Sequence, residues 1–254
     1  MRKLNLNAHY HIELPFKVIK QPRERFVRYY NDLFALEGIQ QPELNSYIQT
    51  TQYSYSELGD ALFAACPFEQ IIAEVDLVVI AYWSHEFDPD GSFGAYFANK
   101  YGITIRLFDI CDQGILSPIS AIKIIQAFIA SGKANKAALI CFDQMAIPVE
   151  KGFIGAFPSK NSAHLLIFEA LHRPDTIYQV VDAKLLRSSN VNKTSSAVII
   201  SPQTPYYSCS ELFMPILHPN CKSNLAANID LMVIDSESDQ VGILSLTAAN
   251  DKRS

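Results

Sequence analysis

Nothing in this sequence approaches the ~18 consecutive apolar residues that a membrane-spanning helix needs, so no membrane span is expected. The opening stretch "MRKLNLNAHYHIEL" lacks the continuous apolar segment of a secretory signal. Lysine and arginine form no run, and a net charge of −5 gives no electrostatic reason to bind nucleic acid or an anionic membrane. There is no CxxC pair. The five cysteines, at 66, 111, 141, 209 and 221, are odd in number and read as reduced thiols, so a cytoplasmic location is expected. The six histidines show no metal-ligand spacing. His9 and His11 share one face of an expected strand, but no third ligand is suggested, so neither a metal nor any other cofactor is expected.

What is present is an apolar, evenly patterned chain of 254 residues, 49% of them hydrophobic, long enough for a large core. Residues 4–14 alternate through Leu4, Leu6, Ala8, Tyr10, Ile12 and Leu14, the pattern of a half-buried strand. "PRERFVRYYNDLFALEGI" opens with Pro22 and stops at Gly38, as a helix does. "QQPELNSYIQTTQ" reads as a loop, and "SYSELGDALFAACPF" as a second helix capped by Ser54 or Ser56. "VDLVVIAYW" is a buried strand suited to a mostly parallel sheet. After it come the loop "SHEFDPDG", the short helix "SFGAYFANKYG" and the strand "ITIRLFDI". A long apolar helix follows at 118–131, built on Ile119, Ile122, Ile125, Phe128 and Ile129, then the strand "KAALICFD". The alternation is that of an α/β fold.

Two strand pairs repeat weakly. "AALICFDQ" with "AHLLIFEA" is one, and "IDLMVIDSESDQVGILSLT" is the other. Between them lie the strand "TIYQVVDAKLL" and room for about one more strand and a helix or two. Two related halves are therefore expected.

The order of segments resembles the thiolase-like condensing enzymes, of the ketoacyl-ACP synthase III type. The residues that carry the likeness are Asp76 to Ala81, Tyr101-Gly102, Phe108-Asp109-Ile110, Ser131-Gly132 and Ala137 to Cys141. The likeness is dense over residues 70–170 and loose elsewhere. It implies a thiolase-like layered α/β fold of two related halves, with residues 1–175 as the first half and 176–254 as a shortened second half.

The resemblance places a nucleophilic cysteine about five residues after the aspartate that ends the strand. Counting forward from Asp109 gives Gly114, and counting back from Ser131-Gly132 gives Ile115. Neither attacks a thioester. Cys111 comes earlier, before the helix N-terminus that would lower a thiol pKa. It is either a structural thiol or a nucleophile on a shifted turn. His218 and Asn220, in "HPN", stand much later than the family's histidine and are either a turn or a catalytic remnant. His85, in "YWSHEFDP", lies in the loop after a central strand, where active-site loops gather. No glycine occurs between Gly155 and Gly242, so the family's "GN" asparagine has no counterpart, and "SKNSAHLLIF" stands where the family has a glycine-rich strand.

The expectation is a scaffold without its catalytic residues, resembling the non-catalytic subunit of the heterodimeric quinolone-forming condensing enzyme in "FDICDQG" and in "CSELF" followed by a last strand pair. The resemblance implies a catalytic condensing-enzyme subunit as partner, in acyl-chain or secondary metabolite synthesis, or else a second copy of this chain. An acyl carrier protein is a further candidate partner, with Arg23, Arg25 and Arg28 as its docking patch. The alternative is a divergent acyltransferase or thioesterase using Cys111 with His218 or His85. "KAALICFD" is uncharged between Lys136 and Asp143, so residues 137–142, among them Leu139, Ile140 and Cys141 with Ile140 near the centre, are expected to form the partner interface together with part of the loop 111–117.

Overall fold

The structure is a computed structural model that describes residues 2–17, 19–38, 40–50, 53–83, 86, 92–111, 113–145, 158, 160–190, 198–200, 211–217, 228–235 and 238–249. Strands β1 (Leu4–Leu14), β2 (Leu77–Tyr82), β3 (Arg106–Ile110), β4 (Lys136–Asp143) and β5 (Asn161–Glu169) belong to the first half. Strands β6 (Tyr178–Arg187), β7 (Val198–Ile200), β8 (Asn228–Asp235) and β9 (Gln240–Ala248) belong to the second. All lie in one sheet, in the order β3-β2-β4-β5-β1-β6-β9-β8-β7.

The second half repeats the first. β6 and β9 run antiparallel, as do β9 and β8, while β8 and β7 are parallel. The same sequence of directions links β1, β5, β4 and β2. The first half carries β3 as an extra, outermost strand. Among the described strands, the pairing that joins the halves is that of Leu4, Asn5 and Leu6 of β1 with Val180, Gln179 and Tyr178 of β6. The two related halves that were expected are thus joined into one sheet by this short seam.

Helix α6 (Ser117–Ala130) fills the angle between the halves. Ile119, Ile122, Ile125 and Ile129 are fully buried in a core that draws Leu77, Val79, Leu139 and Leu166 from one half and Ala183, Leu231, Leu244 and Leu246 from the other. A helix apolar on most of its surface belongs between two packed faces, and this one has two. Phe128 is half-buried beside Phe108. Helices α3 (Tyr55–Ala64), α4 (Phe68–Ile72) and α5 (Phe93–Lys100) cover the opposite face of β2, β4 and β5. Ser54 is the cap of α3. It accepts from the Glu57 amide at 3.1 Å, and the Glu57 carboxylate accepts the Ser54 amide at 2.8 Å. Helix α7 (Met214–Leu217) follows a 3-10 turn, Glu211–Phe213, in the second half.

Three expectations change. Part of the stretch read as a loop is helix α2 (Leu44–Thr50). Tyr47 buries itself against Phe26 of α1 (Glu24–Leu36) and donates to Asn31 Oδ1 at 2.5 Å. Tertiary packing, invisible in a polar local sequence, makes the helix. Second, the apolar residues of β1 do not all face one way. A bulge between Leu6 and Ala8 reverses the strand, so Leu4 and Leu6 face α6 while Ala8, Tyr10, Ile12 and Leu14 pack on the α3 side. Third, β4 is no free edge. It is hydrogen-bonded to β2 and to β5. Leu139, Ile140 and Cys141 are at most 1% exposed within this one chain, so they are core residues and not an interface. Among the described residues no helix is long and apolar enough to cross a membrane.

Candidate functional site

The junction of β3 and α6 is where the sequence suggested chemistry. β3 ends at Ile110, a 3-10 turn occupies Gly114–Leu116, and α6 starts at Ser117 with Pro118 in its first turn. Gly114 takes a φ of +50°, and a Cβ there would lie 3.3 Å from the indole nitrogen of Trp83. Positive φ under a close aromatic is a place for glycine. The Ser117 hydroxyl donates to the Gly114 carbonyl at 3.0 Å, and Ser120 is bonded to the Gln113 side chain. Ile115 and Leu116 are 3% exposed and pack in the α6 core with Leu212, Phe213 and Ile216. The position at which the resemblance expects a nucleophile is therefore a backbone turn followed by a buried isoleucine.

Cys111 sits just past the end of β3 and packs with the α3-side core. Leu107 packs with that same core, whereas Phe108 and Ile110 belong to the α6 core. The thiol is therefore on the face of the sheet turned away from the N-terminus of α6. Beside it, Tyr82 donates to Asp109 Oδ2 at 2.6 Å. Burial first, then the hydrogen bonds to Asp109 and Cys111, push the Tyr82 phenol well above its ordinary pKa. His85, His218 and Asn220 lie outside the described residues.

Sequence reasoning missed a histidine cluster on the α6 side of the sheet. In the β4–β5–β1 ladder, Cys141, His164 and His11 are direct cross-strand neighbours. His9 Nε2 and His164 Nδ1 are 2.7 Å apart, and the rings of His11 and His164 are 4.3 Å apart between centroids. Phe213 closes the cluster from the second half, 6.1 Å from both His9 and His164. Burial, reinforced by the neighbouring histidines, drives His164 well down, and burial and His11 push His9 down to about 3. Both are neutral at pH 7. Cys141 is raised by burial and by Asp143 on the same strand.

The two facing nitrogens of His9 and His164 are spent on one another rather than turned toward a common ion. Two nitrogens bound to one tetrahedral zinc at ~2.05 Å stand ~3.3 Å apart, whereas these two bond one another. No group of three ligating side chains suited to a metal occurs among the described residues. The signal that would have revealed the cluster is the bulge in β1, because it turns His9 and His11 inward.

No protein-family model matches the chain, and no curated protein matches it in sequence. Solved structures do match in shape. ChlB3, an acyltransferase, superposes with a TM-score of 0.63 at 6% identity, over 98% of each chain. AbyA1, a tetronic acid condensing enzyme, gives 0.60 at 10% identity over 96% of this chain and all of its own, 100%. The 3-oxoacyl-acyl-carrier-protein synthase III of Aquifex aeolicus VF5 gives 0.54 at 12% identity, over 96% of this chain and 99% of that one. At such identities the likeness is one of fold. The chain has the thiolase-like layered α/β fold.

Proposed function

We propose that this chain is a ketoacyl-synthase-like subunit that performs no condensation itself and serves a catalytic condensing-enzyme subunit. One observation carries the reading. At the entrance to α6, Gly114 and the buried Ile115 stand where a thioester-attacking cysteine would have to be. Cys111, the nearest thiol in sequence, is turned to the other side of the sheet. A fold shared with condensing enzymes, without a nucleophile at its helix entrance, has structural support left to offer.

The pairing surface we assign is β3. It ends the sheet, so among the described residues one of its edges has no strand beside it. Its side chains are only partly buried: Leu107 and Phe108 are intermediate, Arg106 and Asp109 exposed. Arg106 also lies over the Phe128 ring, 5.9 Å from its centroid. A partner strand laid along β3 would satisfy the free backbone groups and extend the sheet across the interface. The occupant proposed is a catalytic condensing-enzyme subunit, and a second copy of this chain is the competing occupant. Docking of an acidic carrier protein on α1 draws less support, because Arg28 is already within 3.5 Å of Glu24.

The test is co-expression with a condensing enzyme encoded nearby that retains an "ACxG" cysteine. Incubation with an acyl thioester and intact-mass analysis should find the acyl group on the partner and none on this chain. Turnover by this chain alone, or a stable adduct on Cys111, would establish the divergent acyltransferase reading instead.

A further inference from the structure

β1 holds β6 only as far as Leu6, and the bulge then carries it away from the second half. Beyond that point His9 and His11 face the gap between the halves. The gap is closed by the segment Glu211–Leu217, whose Leu212, Phe213 and Ile216 are buried against the first half's core. Phe213 lies on both His9 and His164.

The hydrogen bonding of the pair is incomplete. Whichever ring donates across the 2.7 Å contact, His9 Nδ1 and His164 Nε2 are buried and find no partner among the described residues. In one tautomer His9 Nδ1 is a bare acceptor and His164 Nε2 an unmatched donor, and in the other the roles exchange. A proton added to the pair finds no lone pair to face its new N–H. The other ionisable groups on this face are already engaged or far from anionic. Glu13 pairs with Lys160 at 3.1 Å, Asp143 accepts from Ser162 at 3.5 Å, Cys141 is held protonated by burial, and His11 is a second potential cation. Glu211 is the one acidic residue in the covering segment.

We propose that His9 and His164 form an acid-sensitive latch: neutral, they are covered by the Glu211–Leu217 segment, and proton uptake lifts that segment from the gap between the halves. A closed state that excludes the proton and an open state that accepts it are linked. Below the ordinary histidine pKa of about 6.5, each proton taken up on opening raises the open population about tenfold per pH unit.

Amide hydrogen exchange of the full chain at pH 7.5 and 5.5, corrected for intrinsic rates, tests this. Exchange in 211–217 should accelerate about tenfold or more at the lower pH, while β4 (136–143) stays protected. The double variant His9→Gln/His164→Gln should lose the pH dependence. An unchanged 211–217 overturns the latch, and so does exchange in β4 as fast as in 211–217, which is global unfolding. A double variant that keeps the pH dependence overturns it equally. If that variant fails to fold, nitrogen-15 histidine spectra of the wild-type chain decide. Rings of His9 and His164 that titrate near 6.5 without faster exchange in 211–217 exclude the latch.

Discussion

Gly242 of β9 lies so near Ile119 of α6 that a Cβ on the glycine would come within 2.9 Å of Ile119 Cγ1. It would also meet Val233 Cγ2 at 3.0 Å and Leu116 Cδ2 at 3.1 Å. The second half thus rests its backbone directly on the helix entrance of the first. Gly242→Ala is expected to cost ~1–3 kcal/mol through overpacking, read as a lower urea midpoint with an unchanged slope.

Ile140 is an interior side chain of β4, 1% exposed. Ile140→Ala should therefore destabilise the isolated chain by ~2–5 kcal/mol whether or not a partner is present. Equal urea midpoints for the variant and wild type, with loss of partner binding only, would restore the interface reading of this strand.

Cys66 and Cys141 should both resist iodoacetamide in the native chain. Burial raises Cys66 to about 11, and Cys141 is fully buried and held well above the ordinary thiol range by burial and Asp143. At pH 8 the thiolate fraction at Cys66 is then ~1 in 1,000, so both should stay unlabelled in the native chain and label once urea unfolds it. Peptide mass mapping distinguishes the sites. Cys111→Ala should leave the turnover of a catalytic complex unchanged, and a ~100-fold loss would reassign it as a nucleophile.

Global stability should fall on acidification. His9 has a folded-state pKa of about 3, below its unfolded value of about 6.5, so the neutral ring's contribution is fully present above pH 6.5. It is lost progressively as pH falls from there toward 3, by ~1.4 kcal/mol per pH unit. Urea titrations at pH 7.5, 6.0 and 5.0 check the slope, and His9→Gln should flatten it.

The element order was legible because the apolar runs have clear periods: β2, β4 and α6 fall where "VDLVVIAYW", "KAALICFD" and the isoleucine-rich helix put them. That Ser54 or Ser56 caps α3 was legible for the same local reason, and the structure gives the role to Ser54. What depends on non-local pairing was not. Tyr47 makes a helix by reaching Phe26, an uncharged strand sits inside the sheet rather than at its edge, and His164 meets His9 across 155 residues of chain. At the candidate site, the position that the resemblance assigns to a nucleophile could be counted from Asp109. The side of the sheet on which Cys111 falls could not, because that needs the partners of β3.

The bulge at Asn7 also sets how this chain can change over evolution. Asn7 is buried and accepts from Thr176 Oγ1 at 2.9 Å, fixing the extra residue in place. Deleting it would turn over every side chain from Ala8 to Leu14, sending Tyr10 and Ile12 toward α6 and the histidines into the α3-side core. Insertions and deletions at this point are therefore far more costly than point substitutions. Descendants of this sequence should vary in length before Leu4 and keep the spacing from Leu6 to His11 constant.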